Sequence, residues 1–159
     1  MFSNLSRSYT TETVRASAQQ DVRSALALMC EDIIHAGLDS TGAANSGITT
    51  LGATDIAFTA DINYDGVITA GNNEQIRYFL NGNQLVQQLD GGNDAILLDN
   101  VTNLSFVYLD EDDNDVTGTA GPRNDVHIIQ VTMTIQPPAG RAGSVTRTLS
   151  QQVRLTNAV

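Results

Sequence analysis

The stretch Ala18–Asp39, AQQDVRSALALMCEDIIHAGLD, decides how the chain is read. Val22, Leu26, Met29 and Ile33 step by four, three and four residues, which is the spacing of one face of an α-helix. Ala25 and Leu28 widen that stripe, and Val14 and Ala18 extend it toward the N-terminus. Asp21, Arg23, Glu31 and Asp32 fall mostly on other faces. There is no proline in this region and no glycine before Gly37, which supplies a C-terminal stop. One long amphipathic helix is therefore predicted over roughly residues 10–37, on the order of 40 Å at about 1.5 Å per residue. Its first half is more polar and richer in small residues than its second, so the expectation is that it projects beyond the core.

Downstream the period changes. Residues 39–53, DSTGAANSGITTLGA, are rich in Gly, Ser, Thr and Asn and read as a loop. Asp55–Ala60 reads as a short strand. Ile76, Tyr78 and Leu80 alternate, and Asn81-Gly82 then separates them from Leu85–Leu89, a strong hairpin signal. Ala95–Leu98 reads as another short strand. Leu104, Phe106 and Tyr108 alternate, as do Ile129, Val131, Met133 and Ile135. Pro137-Pro138-Ala139-Gly140 ends that segment as a loop, and Leu149, Val153 and Leu155 share parity in a last strand. Such alternation belongs to antiparallel hairpins with one buried face. The predicted class is α+β, a long N-terminal helix packed on antiparallel sheet, with residues 1–38 and 39–159 forming one domain together.

Composition bounds the function. The chain has 159 residues, 41% of them hydrophobic and 16% charged, enough for a core and unlike a disordered acidic tail. The net charge of −10 opposes nucleic acid and anionic membrane surfaces and favours cations or basic partners. A single cysteine, Cys30, excludes an internal disulfide scaffold. No run of 18 or more apolar residues is present. Neither a metalloprotease HExxH, a GxSxG elbow nor a P-loop occurs. Cys30 and His35 are five residues apart and do not share a helical face cleanly, so Cys30 reads as a small core residue and His127 as a strand-edge residue. Arg123, Arg141 and Arg147 lie near loops and are assigned no role. With no Trp and 5% aromatic residues, a stacking platform for sugars or bases is not expected.

The sharpest chemical motif is Asp61-Ile-Asn63-Tyr-Asp65-Gly66-Val67-Ile68-Thr69. It matches the opening of an EF-hand loop, with oxygen side chains at positions 1, 3 and 5, glycine at 6 and a backbone carbonyl at 7. Alternate oxygens of a tight loop converge on one cation, and the glycine permits the sharp bend. Ile68 falls where an apolar anchor is usual. Position 12 is Asn72 in place of a bidentate glutamate, but Glu74 serves if the loop bulges. The expected ligand set is Asp61, Asn63, Asp65, Val67, Thr69 and Glu74, and the expected ion is calcium. Magnesium fits less well because it demands a stricter octahedron. A plain turn at Asp65-Gly66 is the competing reading. A second acidic run, Asp110-Glu111-Asp112-Asp113-Asn114-Asp115, offers Asp110, Asp112, Asp113 and Asp115 as a weaker site without a turn glycine; its other reading is a solvated loop tip.

The order of these segments resembles PilW-like minor pilins and the J-type pseudopilins of type II secretion. Glu31-Asp32-Ile33-Ile34-His35-Ala36-Gly37 is similar to the end of their N-terminal helix. DINYDGVITAGNNEQIRYFLNGNQL (Asp61–Leu85) resembles their acidic loop and following hairpin. LLDNVTNLSFVYLDED (Leu97–Asp112) and VHIIQVTMTIQ (Val126–Gln136) resemble two of their later strands. The resemblance implies a structural, non-enzymatic subunit that takes part in assembling or priming a type IV pilus or a secretion pseudopilus, near the tip. Its partners would be other pilins or pseudopilins, with Val14 and Ala18 as candidate contacts. It further implies residence in the bacterial inner membrane and periplasm and then in a cell-surface filament. The membrane would be reached only through an apolar half-helix that is not among these residues and is expected upstream of Met1. The alternative class is a calcium-dependent extracellular binding or adhesion module.

Overall fold

The computed structural model describes residues 2–118, 125–137 and 146–156, with side chains described from Glu12 onward in the helix. The helix α1 spans Phe2–Ile34. It ends in a tightened turn in which the N–H groups of His35 and Ala36 bond Asp32 O (3.1 Å) and Ile33 O (3.0 Å). Gly37 follows at φ 77°, the left-handed conformation that ends many helices, and its N–H reaches Thr59 O at 3.0 Å. The stop glycine is therefore where the sequence placed it, with the last helical residue three positions earlier.

The buried face of α1 is the expected stripe: Val22, Met29 and Ile33 are 0% exposed and Leu26 is 3% exposed. The packed part of the helix is nonetheless short. Residues 12–17 are all exposed, burial begins at Ala18, and the covered segment runs only to Ile33, roughly 24 Å at the usual rise. Leu28, which the pattern adds to the stripe, lies at its flank and is exposed.

Among the described residues, eight strands follow in two sheets. β1 (Ile48–Leu51), β2 (Asp55–Thr59), β3 (Gln75–Asn81), β4 (Gln84–Leu89) and β5 (Asp94–Leu98) form a five-stranded antiparallel meander in that order. β6 (Val101–Leu109), β7 (Ile128–Ile135) and β8 (Arg147–Arg154) form a three-stranded one. β1 falls inside the segment expected to be a loop. Pairing with β2 makes it a strand: Ile48 faces Phe58 and Leu51 faces Ile56 across the ladder, and both β1 residues bury their side chains. A second correction concerns the β3–β4 hairpin. Asn81 pairs with Gln84, so the two-residue turn is Gly82-Asn83, one position beyond Asn81-Gly82. Only Gly82 of the pair has positive φ (62°), as a type II′ turn requires at its first central residue.

One hydrophobic cluster joins α1 to both sheets. α1 packs on β7 and β8 and touches β5, the edge of the larger sheet. Asp32 on α1 also accepts hydrogen bonds from the Tyr78 hydroxyl and from Gln87 Nε2 (3.0 Å), which ties the helix to β3 and β4. Burial and the bond to Asp32 push the Tyr78 phenol far above its ordinary value, so it stays a donor. Between the sheets, Phe106 N–H donates to Ala53 O (2.8 Å), and the Tyr108 hydroxyl lies 3.1 Å from both Gly52 O and Asp55 O. These contacts fix the β1–β2 connection, and with it the start of β2, against β6.

Candidate cation site and helix face

The connection from β2 to β3 contains the acidic loop. Ala60 N–H bonds Glu74 O at 2.9 Å, closing the loop at its base. Asp61 N–H bonds Leu38 O at 2.8 Å, so the loop is anchored on the chain that leaves the helix. The Asp61 carboxylate then turns the backbone: its oxygens accept from Asp65 N–H (3.1 Å) and Gly66 N–H (2.9 Å). Asn63 Oδ1 accepts from Asp65 N–H at 3.0 Å, and Asp65 Oδ1 accepts from Val67 N–H at 2.9 Å. Gly66, at φ 81°, is required twice over. Its backbone lies in the left-handed region, and a Cβ there would meet Thr41 Oγ1 at 2.9 Å.

The far side of the loop bulges as the motif needs. Asn72 closes a turn on Thr69 O (3.4 Å) and its side chain is exposed, so position 12 offers no ligand. Glu74, two residues later, lies inside: it is 0% exposed, and its Oε2 accepts from Thr69 N–H at 2.8 Å. Asp61 is also 0% exposed. One carboxylate oxygen from each of Asp61, Asp65 and Glu74 lies within 4.8 Å of the others. At or inside that limit two unit negative charges repel by at least about 3 kcal/mol at an effective dielectric constant of about 20. Among the described residues no arginine pairs with them; Arg77 bonds Asp55 at 3.1 Å and stacks on Phe79. The remaining oxygen, Glu74 Oε1, is buried and has no hydrogen-bond partner. A buried acceptor left unpaired costs roughly 1–3 kcal/mol, and a cation between these carboxylates would satisfy it. The donor set therefore fits a hard cation.

The other expected donors divide. Asn63 belongs to the same loop, with its amide nitrogen on Asp65 Oδ2 at 2.9 Å. Val67 exposes 58% of its side chain, leaving the main-chain carbonyl as its contribution. Thr69 acts through its N–H on Glu74, and its side chain is exposed. Ile68 is half-buried, a partial anchor.

Asp90 was not singled out by the sequence. Its carboxylate accepts from Gly71 N–H (2.9 Å), Asn73 N–H (2.6 Å) and Gln75 N–H (3.0 Å), bracketing Glu74. Partial burial raises its carboxyl, but these backbone donors outweigh that and hold it below the usual carboxylate range. Its partners lie 15–19 residues away, so no local pattern reveals it.

The run 110–115 is built differently. Among the described residues the only set of three carboxylates brought within sharing distance is Asp61, Asp65 and Glu74. Asp112, Asp113 and Asp115 are exposed and Asp110 is half-buried, and no three of these carboxylates come within sharing distance. Asp110 accepts from the Asn114 amide and from the N–H groups of Asn114 and Asp112, local donors that lower its carboxyl. Asp115 accepts from Thr117 N–H at 2.8 Å.

The helix face also needs one correction. Ala18 is 7% exposed and packs in the core of its own chain, whereas Val14, one turn earlier, is 50% exposed. A groove of about 580 Å³ lies between α1 and β5, lined by Asp21, Leu28, Ile96, Leu97 and Asp99 among others. Cys30 is buried, and desolvation pushes its thiol up to about 11. His35 is exposed and bonds Glu31 O through Nδ1 (2.9 Å). His127 is half-buried at the start of β7, its N–H on Leu109 O (2.8 Å). Arg147 lies 3.5 Å from Thr146 O. Arg123 and Arg141 lie outside the described residues, as do residues 138–140 of the proline loop. No described helix is long and apolar enough to cross a membrane.

Three comparisons bear on this arrangement. The family model described as PpdB, prepilin peptidase-dependent protein B, matches residues 11–155. Among curated proteins there is no match. Among solved structures, a type IV-like pilin from Thermus thermophilus is similar at a TM-score of 0.59 and 10% identity, over 89% of this chain and 98% of that one. At that identity the likeness concerns the fold, which is pilin-like.

Proposed function

The chain belongs to the family of prepilin peptidase-dependent protein B, and from that premise we propose that it is a structural subunit of a type IV pilus or a related secretion pseudopilus, of the minor, PilW-like or J-type kind. In this reading it helps to assemble or prime the filament near its tip, beside other pilins. It is held in the inner membrane before assembly and catalyses nothing. The observation that supports it best is Val14. This residue continues the apolar stripe of α1, yet it is 50% exposed because the head covers the helix only from Ala18 onward. An apolar face prolonged past its own head is suited to packing against the helices of neighbouring subunits.

The test uses the full gene product in the host that encodes it. Val14→Arg should lower recovery of the protein in the sheared filament fraction by about tenfold, the effect of losing a central apolar contact worth about 1.4 kcal/mol. Its level in whole cells should not change. Undiminished recovery of Val14→Arg would overturn the proposal.

A second reading, a calcium-dependent binding module, is favoured by one observation. Ile62, Tyr64 and Val67 are 44%, 60% and 58% exposed on the acidic loop, a small apolar tip beside the carboxylates. If Val14→Arg assembles normally while Tyr64→Ser abolishes adhesion of the cells, that reading replaces the first.

A further inference from the structure

We propose that Asp61, Asp65 and Glu74, with Asn63 Oδ1 and the Val67 carbonyl, form a calcium site that locks the β2–β3 loop onto the chain leaving α1. The inference goes beyond the filament reading and does not depend on it.

Two independent observations converge. The first is geometric: three carboxylate oxygens from three residues lie within 4.8 Å of one another. Calcium–oxygen distances of 2.3–2.6 Å place oxygens on opposite sides of the ion roughly 4.6–5.2 Å apart, so these groups surround such an ion with little movement. Magnesium, at 2.0–2.1 Å, demands a stricter octahedron. The second is chemical: Glu74 Oε1 is fully buried and unpartnered, beside a second fully buried carboxylate and with no cationic side chain paired to either among the described residues. Buried charges are ordinarily paired or bound to metal.

The hydrogen bonds already present do not exhaust the acceptors. Each carboxylate oxygen has two lone pairs. Asp61 spends one per oxygen on the N–H groups of Asp65 and Gly66, leaving a lone pair of each for an ion. Asn63 and Val67 bring neutral oxygens toward the six to eight that calcium takes from protein and water. The site's position gives it a consequence. Asp61 N–H is bonded to Leu38 O, and Gly66 lies against Thr41, so the loop that would hold the ion is fastened to the segment just after the helix. An ion there would stiffen the joint between helix and sheet.

The experiment uses the chain stripped with EDTA, then titrated with calcium chloride and separately with magnesium chloride by calorimetry. Thermal melts are taken with and without ~1 mM calcium, a concentration suited to extracellular calcium modules. The expected result is one calcium per chain, a rise of several degrees in Tm by linkage, and a weaker response to magnesium. Glu74→Gln is isosteric and removes a buried charge. It should fold and should bind calcium at least tenfold more weakly. Asp61→Ala should lose binding as well, but it leaves the N–H of buried Gly66 without an acceptor, so Glu74→Gln is the deciding variant if Asp61→Ala does not fold. Absence of heat and of any Tm shift in the wild type would overturn the proposal. So would calcium binding by Glu74→Gln that equals the wild type, or binding that disappears only when Asp112→Asn and Asp113→Asn are combined.

Discussion

The loop between β2 and β3 and the loop after β6 look alike in sequence, and the structure treats them in opposite ways. The first places three carboxylates in 14 residues, Asp61 to Glu74; the second places five in six, Asp110 to Asp115. By charge density the second is the stronger cation candidate. Yet four of its five carboxylates are exposed, and both Asp110 oxygens accept from donors of its own turn. In the first loop two of the three are fully buried and one oxygen is left over. A candidate cation site is thus marked by acceptors that the fold has withdrawn from water and not satisfied, and counting acidic residues does not find them.

The sharpest way to break this contrast is to remove the leading aspartate of each loop without calcium. Asp61→Ala leaves the N–H of buried Gly66 without its acceptor, while Asp65 N–H keeps only Asn63 Oδ1. The expected loss is about 1–3 kcal/mol by denaturant titration. Asp110→Ala also frees backbone donors, but at an exposed turn where water replaces the acceptor, so its loss should be clearly smaller. Equal losses would mean that burial does not separate the two loops.

The next effect is at Asp90, which holds the backbone on either side of Glu74. If the first loop works through positioned acceptors, Asp90→Ala should weaken calcium binding by about tenfold, the lower end of what loss of a ligand-orienting group costs. It should do so without removing a ligand, so the stoichiometry measured by calorimetry stays at one. Asp115→Ala, the equivalent disruption in the other loop, should leave calcium binding as it is.

These differences explain what was legible in the sequence. The stripe Val22, Leu26, Met29, Ile33 was legible because periodicity reports burial directly when one helix packs on one core. The alternations in β6 and β7 were legible for the same reason. β1 was not: ITTL lies among Gly, Ser, Thr and Asn, and its strand character comes from the partner it finds in β2. The Asn81-Gly82 signal identified the hairpin but was one residue off in register, because Gly82 takes the first turn position rather than the second. Ala18 and Val14 both continue the stripe, and only the place where the head ends separates them. In the acidic loop, Asp61, Asn63, Asp65 and Gly66 followed from spacing alone. That Glu74 is buried, and that Asp90 grips the backbone around it, depends on residues paired across the sheet and could not be read locally.

A smaller effect distinguishes the loops by pH. The Asn114 side chain and the backbone N–H groups hold the Asp110 carboxyl below its ordinary value of about 3.9. A carboxyl depressed in the folded state contributes stability above its unfolded pKa and loses it as pH falls through the folded value. The stability difference between wild type and Asp110→Asn should therefore be constant near neutral pH and shrink from about pH 5 downward. Denaturant midpoints measured across that range check it. A difference that grew on acidification would show that the ionised form of Asp110 is not what its turn stabilises.

The smallest expected effect is the response to monovalent salt, and it separates the loops by mechanism. Like charges on an exposed loop repel through water, and a Debye length of about 8 Å at physiological ionic strength already screens much of that. Raising sodium chloride should relieve the rest, so Tm should rise slightly more for the wild type than for a variant carrying Asp112→Asn and Asp113→Asn. The repulsion between Asp61, Asp65 and Glu74 is of another kind. Two of these groups have no solvent contact, so mobile sodium ions outside the loop screen them poorly, and only an ion that enters relieves them. Glu74→Gln should accordingly leave the sodium chloride increment at its wild-type value while abolishing most of the calcium increment. The reverse pattern, a salt response governed by Glu74 and a calcium response governed by Asp112 and Asp113, would exchange the roles assigned to the two loops.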